Sequence, residues 1–131
     1  MKLYKDKNIE FRLDVGSDIL TAKFLNPNPI MYEAAQFTGA IELVHARRVL
    51  LDLSLVKEFQ REAKEHLIED LTKQLFGQGV RKLAVLNSPN QEVNEFVRQV
   101  LEENLPPKLK YKFFDIHSDA IVWLKNNYSK D

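Results

Sequence analysis

The spacing of hydrophobic and polar positions changes several times along this chain, and each change predicts an element. Ile9, Phe11, Leu13 and Val15 alternate with Glu10, Arg12 and Asp14, the period of two expected of a strand with one wet face. Turn residues follow from Val15 to Asp18, and Ile19 to Leu25 resumes the alternation with Leu20, Ala22 and Phe24 on one side. The pair predicts an antiparallel hairpin. Three short apolar runs then lie at helix-spaced intervals: Arg48 to Ser54, Lys82 to Asn87, and Tyr111 to Asp115. Apolar runs without alternation, bounded by polar residues, are what strands buried on both faces of a parallel sheet look like.

Helical spacing fills the intervals. Asn26, Pro27, Asn28 and Pro29 break the second strand, after which Phe37, Ala40, Ile41 and Val44, with Tyr32 and Ala35 upstream, predict a helix ending near Ala46 or Arg47. Gly39 weakens it by about 1 kcal/mol relative to alanine. Lys57 to Phe76 sets Phe59, Ala63, Leu67, Leu71 and Leu75 four residues apart among charges, and Gly77 and Gly79 follow as stop signals. Ser88, Pro89 and Gln91 predict the start of a third helix, with Ser88 as N-cap and Val93, Phe96, Val97, Val100 and Leu101 as its apolar stripe. Residues Leu105 to Pro107 end it. A last helix opens between Asp115 and Ser118 and carries Ala120, Ile121 and Leu124, with Trp123 near its packing face. The expected fold is α/β: a mixed sheet of about five strands, an N-terminal antiparallel hairpin followed by three parallel strands, with about four helices on both of its faces. No linker divides the chain, so a single domain over 1–131 is expected.

Composition narrows the function classes. The 131 residues are 44% hydrophobic and 29% charged, as in ordinary globular proteins. Lysine and arginine number 19, as do aspartate and glutamate, so no overall field favours nucleic acid or an anionic membrane. The absence of cysteine removes disulfides, thiol nucleophiles and thiolate metal sites. No apolar run reaches the roughly 18 residues of a membrane span, and Met1 to Asn8 has no signal-peptide core. A cytoplasmic protein without a membrane span is expected.

In open parallel sheets, ligands bind beyond the carboxyl ends of the strands. Those ends carry Asp52 and Ser54, Asn87 and Ser88, and Asp115 and His117. These six are the candidate ligand-binding residues, and Asp115 with His117 could form an acid–base pair. The plainer use of Ser54, Ser88 and Asp115 or Ser118 is to cap helices. His45, His66 and His117 fall on separate elements without ligand spacing, and there is no Gly-rich phosphate loop or nucleophile elbow, so neither a metal nor a cofactor is expected. Lys108, Lys110 and Lys112 alternate into the last strand, where they could bind an anion; guarding an exposed edge is the commoner purpose of such charges.

The stretches "RRVLLDLS", "VRKLAVLNS" and "YKFFDIHSDAIVWL", taken in order after the paired N-terminal strands, resemble the STAS-like domains of the SpoIIAA-like type, the superfamily of anti-sigma-factor antagonists. The likeness runs from about Ile9 to Asn127 and rests on order, no single motif being specific. It implies a small regulatory domain that works through protein contacts. Phosphorylatable members open the helix after the central strand with Asp-Ser-Ser-Gly, whereas this chain continues from Asp52 through Ser54 to Val56, Lys57 and Glu58 without the serine pair or the glycine. Asp52 also resembles the phosphoacceptor of receiver domains, but no acidic pair follows the first strand, where Asp18 is a lone acid. The expected function is a non-enzymatic interaction or regulatory domain, a homodimer through a sheet edge or an aromatic-bearing helix. The alternative is a small-ligand or lipid-binding module at the strand ends.

Overall fold

The computed structural model describes residues 2–14, 16–28, 46–59, 79–104 and 108–126. Among these are six strands and two helices: β1 (Lys2–Lys5), β2 (Ile9–Asp14), β3 (Ile19–Phe24), β4 (Arg48–Asp52), β5 (Lys82–Leu86), α1 (Gln91–Asn104), β6 (Lys110–Phe114) and α2 (His117–Lys125). They form one mixed sheet whose strand order repeats the chain order, β1 to β6. The β1–β2 and β2–β3 pairs are antiparallel, and the pairs from β3 through β6 are parallel. The α/β class and the hairpin-then-parallel plan hold. The sheet has a sixth strand, however, because Lys2–Lys5 pairs with β2 across a register shift between Lys2 and Tyr4. The expected helix between Pro29 and Arg47 lies outside the described residues apart from its end, and so do residues 60–76 of the next one, Val15, His45, His66 and residues 105–107.

Two apolar layers flank the sheet. Alternate residues of β2 to β5, among them Ile9, Phe11, Leu20, Ala22, Phe24, Val49, Leu51, Leu83 and Val85, pack with Val93, Val97 and Leu101 of α1. On the other side Leu50, Ala84 and Leu86 pack with Ala120 and Leu124 of α2. Both faces are covered, as expected, but not by crossovers alone. α1, which lies between β5 and β6 in the chain, covers the first of these faces through Val93, Val97 and Leu101. The opposite face is covered by α2, which follows the last strand and turns back over it.

The two antiparallel turns are built by aspartates. Asp6 accepts the backbone amides of Asn8 and Ile9 and the Tyr4 hydroxyl. Asp14 accepts the Ser17 hydroxyl at 2.7 Å and the Gly16 amide at 3.2 Å. The residue that takes the left-handed conformation there is Asp18, at φ 59°, a geometry that short polar side chains tolerate better than most. Gly79, one of the two expected stop signals, has φ 83°, where a side chain would be strained.

Candidate functional site

At the carboxyl ends of the parallel strands, five of the six residues singled out in the sequence take part in local hydrogen bonds, and one bond, Asn87 to Asp115, joins two of them across strands. Asp52, at the end of β4 and 5% exposed, accepts the Ser54 amide at 2.9 Å. Its carboxylate therefore holds a turn. The chain beyond does not enter a helix at Ser54: residues 56–59 are irregular, with the Lys57 and Glu58 amides donated to the Pro27 carbonyl. Phe59, expected on a helix face, is nevertheless buried and meets Phe24 and Phe96 edge to face.

Ser88 is buried, and all its polar groups have partners. Its hydroxyl donates to the Val56 carbonyl at 2.6 Å and accepts the Asn90 amide at 3.0 Å. The Asn94 side chain clamps its backbone, accepting from the Ser88 amide at 2.8 Å and donating to the Ser88 carbonyl at 2.9 Å. The helix begins at Gln91, so Ser88 is not the N-cap of α1. Asn90 takes that place: its Oδ1 accepts the Glu92 amide at 3.0 Å, and its Nδ2 donates to the Lys57 carbonyl at 2.8 Å. The expected cap is thus displaced by two residues, since Asn90 is as good a cap as serine. The capping role expected of Asp115 or Ser118 falls to Ile116, the N-cap of α2, which offers no side-chain bond.

The bond across strands joins β5 to β6. The Asn87 amide Nδ2 donates to Asp115 Oδ1 at 2.7 Å, and the Asn87 backbone amide donates to the Phe114 carbonyl. A carboxylate only accepts, which fixes the orientation of the Asn87 amide. Asn87 Oδ1 is left buried without a hydrogen-bond partner among the described residues. Asp115 and His117 are both exposed, with His117 the first residue of α2. Strand order therefore brings Asn87 and Asp115 together, while Asp52, Ser54 and Ser88 belong to loop scaffolding. Among the described residues no group of three or more histidines or acids is placed to hold a metal ion, and no helix is long and apolar enough to cross a membrane.

The opposite end of the sheet holds what the strand-end rule overlooks. A cleft of about 310 Å³ there is lined by Arg47, Arg81, Lys108 and Lys110. A second cleft, about 170 Å³, lies near the start of α1 between Glu58, Phe59, Asn90, Glu92, Val93 and Phe96. The signal for the first was present in the sequence as a basic pair before each central strand, Arg47 with Arg48 and Arg81 with Lys82.

Neither a protein-family model nor a curated protein nor a solved structure matches the chain.

Proposed function

We propose that this chain is a non-enzymatic STAS-like domain that acts through contact with another protein, as a regulatory or interaction module. The observation that carries the reading is the direction of the polar groups at the strand ends. Ser88, Asn90, Asn94 and Asp52 point their hydrogen bonds into the surrounding loops rather than toward a common opening. The hairpin followed by parallel strands supports the STAS-like assignment. Self-association runs through α2, the helix bearing Trp123, where Ile116 and Val122 are 57% and 62% exposed. Edge pairing is the weaker route, because Lys2 and Lys5 on β1 and Lys110 and Lys112 on β6 charge both edges of the sheet.

Native mass spectrometry of the protein taken from its source cells tests this reading. One or two bare chains, with a protein retained stoichiometrically after crosslinking, is the expected result. A small molecule retained by the wild type and lost with Asp115→Ala would overturn it.

That second outcome belongs to an alternative reading, a ligand-binding module at the strand ends. Its support is the Asn87 Oδ1 beside Asp115, buried and without a hydrogen-bond partner among the described residues. It requires a thermal shift with a nucleotide or lipid that disappears in Asp115→Ala.

A further inference from the structure

Each strand from β4 to β6 begins with basic residues, and the parallel register sets them side by side: Arg48 opposite Lys82, and Lys82 opposite Lys110. Like charges placed in a row repel, so each needs somewhere to go. Two of them are led away. Arg48 Nη1 donates to the Ser17 carbonyl at 3.0 Å, and Lys82 Nζ donates to the Trp123 carbonyl at 2.9 Å. Arg47, Arg81, Lys108 and Lys110 line the cleft of about 310 Å³.

No carboxylate lines that cleft among the described residues. The chain as a whole carries equal numbers of acids and bases, so this is a local concentration and not one part of a generally basic surface. Its position is set by the sheet: the Arg81 amide donates to the Arg47 carbonyl at 2.8 Å and the Lys110 amide to the Arg81 carbonyl at 3.0 Å. The cations are thus mounted on adjacent, hydrogen-bonded strand starts. Two guanidinium groups offer bidentate donation to phosphate oxygens, and two ammonium groups add compact charge.

We propose that this cleft is a binding site for a compact polyphosphate, the diphosphate portion of a small molecule. Its volume lies at the lower end of the range for small-ligand sites. Its charges line one opening, whereas a nucleic-acid backbone calls for a basic stripe or groove along which phosphates can be followed. The site lies at the end of the sheet away from Asn87 and Asp115, and it does not depend on the interaction reading.

Titration calorimetry with inorganic pyrophosphate on the full chain tests the assignment. The expected result is a single class of site, weakened roughly tenfold or more in R47Q/R81Q, as loss of charge-assisted hydrogen bonds requires. Raising salt from ~50 to ~200 mM also weakens it, and orthophosphate binds less tightly. K112Q, which removes a charge from β6 outside the lining of the cleft, binds as the wild type does. Arg47 and Arg81 are exposed, so the double variant is expected to melt as the wild type does; if it does not, amide chemical shifts of wild-type Arg81 and Lys110 on adding pyrophosphate replace it as the readout. Absence of saturable binding, equal binding by R47Q/R81Q, equal weakening by K112Q, or no shift at those amides would overturn the proposal. So would tighter binding of a short single-stranded oligonucleotide that is lost in the same double variant.

Discussion

Lys82 shows how far one residue's role can depend on chain distant from it. It is fully buried, donates to the Trp123 and Asn126 carbonyls at 2.9 and 3.3 Å, and lies 4.7 Å from the Trp123 ring centre. A cation at the end of α2 complements the helix dipole and adds a second donor to the Trp123 carbonyl, which also accepts the Asn126 amide. Lys82→Met keeps most of the volume but removes the donor, and is expected to lower stability by about 2 kcal/mol in urea unfolding. In the sequence Lys82 reads only as the flank of an apolar run. Its partners come from a helix some forty residues later, so no local pattern announces them. Asn90 illustrates a different limit. Ser88 and Asn90 are both good caps; the Ser88 hydroxyl accepts the Asn90 amide and holds the turn before the helix, and Asn90 Oδ1 accepts the Glu92 amide at the helix start. Asn90→Ala should cost about 1 to 2 kcal/mol through the lost cap, measurable by the same unfolding experiment.

The elements read most easily from sequence are those whose pattern is dictated by two buried faces or by strict alternation. β2 and β3 alternate, and β4 and β5 are nearly continuous apolar runs. β1 was illegible because it has four residues, two of them lysines, and owes its form to pairing with β2 rather than to its own pattern. The turns at either end of β2 carry a pH dependence. The Tyr4 hydroxyl, then the Asn8 and Ile9 amides, lower the Asp6 carboxyl below its ordinary 3.8; the Ser17 hydroxyl, aided by the Gly16 amide, does the same for Asp14. Groups lowered on folding add stability above their unfolded pKa and lose it as pH falls through the folded one. The urea midpoint of the wild type should therefore decline as pH falls below about 4, and D6N/D14N should flatten that decline, with Asn retaining both turns. The edge strand β6 makes a separate demand. Lys112 projects charge from an exposed edge position, so Lys112→Val is expected to increase self-association, seen by light scattering at rising concentration.

At the scale of the whole molecule, the carboxyl ends of the strands are largely knitted into loops, while the strand starts collect cations. The sequence made the first end conspicuous, because a general rule of parallel sheets directs attention there. It marked the second only in pieces: basic residues stand before each of three strands, but Arg47, Arg81 and Lys108 lie far apart in the chain, and the pairing of β4, β5 and β6 makes them neighbours. The order of those strands also has a consequence for how the protein is made. Each strand pairs with the one synthesised just before it, so the sheet can grow in step with the emerging chain, which folds N-terminal parts first. Until Lys110–Phe114 leaves the ribosome, the growing edge is β5, five residues that are all buried in the finished protein and that carry one charge, Lys82. The vulnerable interval in the life of this molecule is therefore the passage between those two strands, when its stickiest edge has been made and its lysine-guarded cover has not.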